Sequence, residues 1–293
     1  MPKCSAWTAV CRGIKEVWYP ASAMATRYPT SPRPVRRSPP QPVRATPRRK
    51  RFRVLRRLLG LLVFLTLLAI AAYVYILAVY APGLRSEARL IPSRVQAQLQ
   101  QHDAQYVTLD AISPDLRHAI VAIEDRRFYY HPGIDPIGMV RAALVNLSAR
   151  KVDQGGSTLE EQLVKRSLVA DDGTLRSKLR RIVLAWAVDQ EFSKRRILEL
   201  YLNAAYYGQG AYGAGAAARI YFGTDSAHLT LAQSAFLAAL PQAPSIYGAN
   251  PTSAAVRYRQ RKVLDGMVAD NYITSEQEQT ALNESLRFAF PNP

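Results

Sequence analysis

The 293-residue sequence has almost no cysteine: Cys4 and Cys11 are the only two, both near the N-terminus, so no disulfide framework can be read from it. Its four histidines, His102, His118, His131 and His228, show no paired spacing of the kind that clasps a metal. Long alternating runs of β-branched residues, which mark half-buried strands, are missing. So is a convincing nucleotide loop: "GQGAYG", Gly208 to Gly213, fits G-x-G-x-x-G but comes after a helical pattern rather than a strand. "SARK", Ser148 to Lys151, fits S-x-x-K, yet no K-T-G or S-D-N accompanies it. These absences point away from a disulfide-stapled scaffold, a sheet protein and a dinucleotide enzyme.

Most of the chain also lacks a charge excess. The formal net charge is +17, but 15 of the 39 Lys/Arg lie in residues 1–57 with Glu16 as their one acid. The remaining 24 basic and 21 acidic side chains nearly cancel. Nucleic acid is therefore not the expected partner. The Pro- and Arg-rich residues 25–50 cannot bury enough apolar surface to fold, and 1–57 reads as a disordered basic cytoplasmic tail.

Beyond the tail the chain turns apolar. "LLGLLVFLTLLAIAAYVYILAVYA", residues 58–81, is free of charge and long enough for a hydrocarbon core of about 30 Å. "RRKRFRVLRR" precedes it, and basic residues stay on the cytoplasmic side. The expectation is one transmembrane helix, with the tail inside and the domain beyond it outside. Residues 82–106 read as a polar stalk, and 107–290 as one globular domain. Periodicity there is helical almost throughout: Leu116, Ile120 and Ile123 make one stripe, and Leu159, Leu163 and Leu168 another. Ser193 and Thr230 sit where helix N-caps belong. A mainly α fold is expected.

Three stretches carry chemistry. In "AIEDRRFYYHPG", Glu124 lies four residues after Ile120 and falls on the same helix face. A carboxylate at the rim of a pocket leaves bulk water, which favours its taking up a proton and suits a general base. Asp125 turns about 100° away, Arg127 and Phe128 flank Glu124, and His131 is read as positioning a loop by hydrogen bonds. In "QGGSTLEEQLVKR", Ser157 and Thr158 can cap a helix, with Glu160 three residues after Ser157 as in a capping box. The free N–H groups of such a start suit an anion, and Gln162, Lys165 and Arg166 share a face behind it; a diphosphate fits. "RSKLRR", Arg176 to Arg181, opens an otherwise apolar helix. Taken alone, these stretches also describe an ion-paired helix end, a capped amphipathic helix and a solvated basic face.

Together, and in this order, they resemble the peptidoglycan glycosyltransferases (glycosyltransferase family 51). "EDRRFYYHPG" is similar to the family's first motif, E-D-x-x-F-x-x-H-x-G, and "GGSTLEEQLVK" to its second, G-x-S-T-x-x-Q-Q-x-x-K, with one change. "RRILELYLN", Arg195 to Asn203, resembles the fourth and "LAALPQAPSIY", Leu237 to Tyr247, the fifth. The resemblance implies a lysozyme-like helical large lobe and a small membrane-associated jaw, about residues 134–153, where "PIGMVRAALVNL" is apolar enough for an interface. It implies lipid II and the growing glycan strand as substrates, no nucleotide, and a plasma-membrane protein with its catalytic domain outside. Transpeptidases and division or elongation proteins are the implied partners. Glu124 would be the catalytic base. Asp125, Ser157, Thr158, Gln162, Lys165, Arg176, Lys178 and Arg181 would bind substrate or diphosphate. Phe128, His131, Gly133, Arg196 and Asn203 would support the cleft. No transpeptidase domain comes after the fifth motif, so a monofunctional type is expected.

The third motif departs. Where the family has R-K-x-x-E, this chain has Ser177, Lys178, Leu179, Arg180 and Arg181. The family's second glutamate, which the resemblance places at the diphosphate with a divalent cation such as magnesium or manganese, is arginine here. Glu161 replaces the first glutamine of the second motif. Two arrangements are expected: Glu161 and Arg181 pair, or Arg181 touches the diphosphate in a metal's stead. A catalytically impaired scaffold and a lytic glycan-cleaving enzyme are the competing functions.

Overall fold

The computed structural model describes residues 48–149 and 156–289. The chain divides into two units, residues 1–60 and 61–293. Of the first, residues 48–60 are described, and they lie in helix α1 (Arg48–Ala88). Most of the expected tail therefore lies outside the described residues.

The second unit is helical, with no strand among its described residues beyond one isolated bridge, Tyr206 with Tyr212. Helix α1 runs into α2 (Ile91–Gln101), succeeded by α3 (Pro114–Glu124), α4 (Pro136–Ala149), α5 (Leu159–Ser167) and α6 (Leu175–Glu191). Then come α7 (Lys194–Ala204), α8 (Ala214–Phe222), α9 (Leu231–Ala239), α10 (Pro244–Ala249), α11 (Ala254–Ala269) and α12 (Ser275–Asn283). Six of them start where a hydroxyl side chain accepts a hydrogen bond from an N–H of the first turn. The caps are Thr158, Thr174, Ser193, Thr230, Ser253 and Thr274. Each satisfies a donor that the helix itself leaves unpaired. At Thr230 and Thr274 a glutamine three residues on returns the bond, completing capping boxes.

Two packed groups of helices set the site. α3 packs against α9 and α11, and small residues stand among their buried larger side chains. Ala119 and Ala122 of α3 and Ala232, Ala235, Ala238 and Ala239 of α9 are buried. On α11, a side chain at Gly266 would meet the Ala122 carbonyl oxygen at 3.2 Å. Such close approach brings the last turns of α11 beside the end of α3, where Glu124 stands. The second group is α5 against α6 and α7, sealed by Leu159, Leu163, Leu184, Val188 and Leu200. Burying each such side chain contributes about 1.5–3 kcal/mol.

The polar stalk is corrected in part. Residues 91–101 form α2, whose Ile91, Val95 and Leu99 are buried and which packs on α7 and α5. Three apolar residues at i, i+4 and i+8 make a stripe that polar neighbours mask in composition. The transmembrane expectation falls on α1, in which the side chains of residues 69, 72–74 and 76–81 lie outside the described set. Among the described residues, no helix is long and apolar enough to cross a membrane. The expected jaw falls on α4 and on residues 150–153, and the latter lie outside the described residues.

Because α2 is core, truncating it is costly. Leu99→Ala should lower the unfolding free energy by about 2–5 kcal/mol, read by denaturant titration of the full chain. A change smaller than about 0.5 kcal/mol, the range of ordinary surface substitutions, would return the segment to a stalk.

Candidate active site

Glu124 is the last residue of α3, with its side chain only 12% exposed. Its Oε2 accepts a 2.7 Å hydrogen bond from Gln162 Nε2 on α5. The amide is held in turn: Gln162 Oε1 accepts from the Tyr201 hydroxyl at 3.2 Å. Burial raises the pKa of that phenol, so it stays a donor. Glu124 Oε1 accepts no hydrogen bond among the described residues, and it lies 3.7 Å from Arg259 Nη2 of α11. Arg166 covers the Tyr201 ring at 5.4 Å. The first carboxylate is thus dehydrated on one side, oriented on the other, and faced by an arginine from a distant part of the chain. Arg259 escaped the sequence reading, because nothing local to residue 259 marks it.

Asp125 does not continue the helix. It is the C-cap, with φ −157° and ψ 78° outside the helical region, and it is buried. Both carboxylate oxygens contact His131 Nε2, at 3.0 and 3.1 Å, and Oδ2 also accepts from the Leu159 N–H at 3.0 Å. Thr158 Oγ1 donates to the Gly133 carbonyl at 2.8 Å and accepts from the Glu161 N–H at 3.2 Å. Gly133 has φ +80°, and a Cβ there would lie 2.4 Å from the Ala185 carbonyl oxygen, so the His-Pro-Gly turn seats directly on α6. The expected free N–H groups at the start of α5 are therefore partly spoken for, by Asp125 and Thr158. The cap is Thr158 with Glu161 as its partner, one residue later than the expected Ser157–Glu160 box.

That shift buries Glu160, which is fully inaccessible. Lys194 Nζ lies 2.6 Å from Glu160 Oε1, 2.7 Å from Asp189 Oδ1 and 2.7 Å from the His131 carbonyl, and sits 4.7 Å above the Phe128 ring. Asp125, His131 and Glu160 offer ligand atoms within 4.8 Å of one another, a spacing that can hold a metal ion. The lysine ammonium already supplies the positive charge at Glu160, and both Asp125 oxygens are turned to the imidazole. These residues suit internal cations better than a divalent metal. Burial pushes the Glu160 carboxyl pKa up, with Lys194 pulling the other way. Burial also opposes the charged form of His131, but Asp125 outweighs it and holds the imidazole pKa above its ordinary value.

The remaining cations gather elsewhere on α5 and α6. A cleft of about 490 Å³ is lined by Ser157, Glu161, Lys165, Asp171, Gly173, Thr174, Leu175, Lys178 and Arg181. Arg181 is buried; its Nε lies 3.9 Å from Glu161 Oε1 and its Nη1 3.2 Å from Asp171 Oδ1 and 3.3 Å from Ser177 Oγ. The expected Glu161–Arg181 pair is thus formed at the outer edge of ion-pair distance. Lys165 does not share a partner set with Gln162 and Arg166: it faces the cleft, 2.8 Å from Asp171 Oδ2, while those two face Glu124 and Tyr201. Arg176 is exposed and does not line the cleft. Arg127 pairs with Asp135 at 3.3 Å. Arg196 bonds Tyr106 and Glu199, and Asn203 clasps the backbone of Val107 through both amide atoms at 2.8–2.9 Å. Those two residues brace the chain between α2 and α3.

A dehydrated carboxylate and a cation-lined cleft on neighbouring faces of α5 describe a site for acid–base chemistry beside an anion. Residues 92–268 match the family model Transgly, described as Transglycosylase, and the chain belongs to that family. It is 45% identical over 183 residues to penicillin-binding protein 1A of Aquifex aeolicus (strain VF5), an alignment covering 62% of this chain and 25% of that protein. It is 42% identical over 173 residues to penicillin-binding protein 1A of Neisseria gonorrhoeae, covering 59% and 22%. A crystal structure of penicillin-binding protein 1A from Haemophilus influenzae aligns with a TM-score of 0.39 and 24% identity, over 63% of this chain and 18% of that one. The chain spans about a quarter or less of the length of these relatives.

The His131–Asp125 pair makes stability depend on pH. A raised folded pKa means that its contribution is complete below the unfolded value of about 6.5 and is lost as pH rises through the folded value. Unfolding free energy should therefore decline above about pH 6.5, and His131→Gln should flatten that decline. An unchanged slope in the variant would show that the imidazole is not the group responsible.

Proposed function

We propose that this protein is a peptidoglycan glycosyltransferase that polymerises lipid II into β-1,4-linked strands and releases undecaprenyl diphosphate. Family membership supports the reaction class. The single observation that carries the mechanism is Glu124, half-dehydrated and held by Gln162 with its second oxygen free of hydrogen bonds among the described residues.

In this reading Glu124 Oε1 takes the proton of the acceptor sugar's 4-hydroxyl. That oxygen bonds to the anomeric carbon of the lipid-linked chain as the bond from that carbon to the diphosphate oxygen breaks. Displacement from the opposite face turns an α-diphosphate into a β link. Negative charge grows on the departing diphosphate, and Lys165, Lys178 and Arg181 receive it; preorganised charges of this kind are commonly the largest catalytic contribution. Ser157 adds a hydroxyl to the cleft wall. Asp125 and Thr158 act through position, by fixing the His131 turn to the start of α5. Arg259, on α11, faces the Glu124 oxygen that receives the acceptor's proton, 3.7 Å away. The acids near the diphosphate cleft are matched by Lys165 and Arg181, so no step is routed through a metal.

The domain boundaries and membrane placement belong to the same proposal. The apolar run of residues 58–81 is a single-pass anchor, the basic tail is cytoplasmic, and the catalytic unit, begun by α2, is extracytoplasmic. Exposed Ile137, Met139 and Val140 on α4 are the jaw that dips into lipid. Transpeptidases and division or elongation proteins are its partners.

Glu124→Gln should cut lipid II polymerisation by about 10²–10⁴-fold while lipid II binding stays within a few-fold. Retained polymerisation would remove Glu124 as the base. Finished cell-wall glycan should not be digested by the wild type; its digestion would favour the lytic reading. Chelator should leave polymerisation within about twofold, since protein cations hold the positions near the diphosphate; loss of most of the rate would restore the metal.

A further inference from the structure

One carboxylate in the cleft has no part in the sugar transfer. Asp171 lies in the loop between α5 and α6, outside every motif that the sequence singled out. Its two oxygens divide between two of the three cleft cations: Oδ2 is 2.8 Å from Lys165 Nζ and Oδ1 is 3.2 Å from Arg181 Nη1. Glu161 meets Arg181 from the other side. Lys178 forms no ion pair among the described residues, although it lines the same cleft.

The formal charges decide what this arrangement does. With three cations and two carboxylates around the cleft, the local excess is one positive charge. A diphosphate diester carries one negative charge on each phosphate. If Asp171 withdraws, the excess becomes two and matches that ligand. Glu161 is buried and fixed on α5, whereas the Asp171 side chain is 36% exposed on the connection between two helices. Gly173 two residues on has φ +75° with open space around it, and its N–H donates to Asp171 Oδ1 at 3.2 Å. Exposure and a glycine hinge make Asp171 the carboxylate that can leave.

We propose that Asp171 is a built-in competitor for the diphosphate cleft: it holds Lys165 and Arg181 as an anion would, and an incoming diphosphate displaces it together with the α5–α6 loop. The proposal rests on the reading of this cleft as the diphosphate site. It assigns to Asp171 control of affinity, tuning how tightly substrate is captured and how readily the released lipid diphosphate departs. Displacement needs no bond chemistry, only exchange of one ion-pair partner for another.

Asp171→Asn tests it, because the amide oxygen can still accept from the Gly173 N–H while the charge is gone. Inorganic pyrophosphate serves as the probe, titrated by calorimetry into the full chain in detergent. The variant should bind about three- to tenfold more tightly than the wild type, the size that partly exposed ion pairs carry. Its KM for lipid II should fall in step. Asp225→Asn, which removes the same charge from a side chain 75% exposed outside the cleft, should show no gain. Equal or weaker binding by Asp171→Asn overturns the proposal, as does the same gain in Asp225→Asn. If the wild type polymerises lipid II yet Asp171→Asn binds pyrophosphate no better, the competitor role alone falls. If neither form binds pyrophosphate and the wild type polymerises nothing, the cleft reading falls and the competitor with it.

Discussion

The carboxylate of Asp125 joins two parts of the chain that otherwise have no reason to meet. One face of it holds the His131 imidazole, and Oδ2 takes the first N–H of α5 at Leu159. It therefore caps two structures at once, ending α3 and helping to begin α5. Thr158 repeats the link from the other side by donating to Gly133. Glu124, one residue before Asp125, is placed against Gln162, one turn into α5, because these bonds set where α5 starts. Move the junction by one residue and Gln162 rotates about 100° away from Glu124.

The same junction sorts the charges of α5 onto separate faces. Glu160 goes inward to Lys194, Gln162 and Arg166 go to Glu124 and Tyr201, and Glu161 and Lys165 go to the cleft shared with α6. A proton acceptor and an anion cleft thereby stand on adjacent sides of one short helix. Separation matters electrostatically. A carboxylate meant to take a proton and a set of cations meant to receive an anion would neutralise each other if they shared one surface. Here Gln162, a neutral amide, is the direct neighbour of Glu124, while Arg259 approaches from α11 at 3.7 Å.

Arg181 shows how a charge reversal is absorbed. At a buried position an unpaired guanidinium is costly. The fold surrounds this one with Glu161, Asp171 and Ser177, so the guanidinium is not left unpaired. Asp171 comes from a loop and Glu161 from the second motif, which is why the compensation is spread over three segments rather than visible at one.

Helix class and helix starts were legible because both are local. The stripe of Leu116 and Ile120, the caps at Ser193 and Thr230, and the motifs that mark the family each span a few residues, within reach of a few turns of helix. The buried stripe of α2 was missed since its three apolar residues are diluted by glutamines and arginine. The one-residue error at the α5 cap came from two adjacent hydroxyls, Ser157 and Thr158, either of which satisfies the local rule. What only the tertiary structure decided is which polar group meets which. The pairing of Asp125 with the Leu159 N–H, of Arg259 with Glu124 and of Asp171 with Arg181 depends on how closely helices approach. That approach is set by alanines and a glycine on α3, α9 and α11 and by the seat of Gly133 on α6. Sequence alone determined the elements and the chemistry that they carry; contact across them, far apart in the chain, was settled by packing.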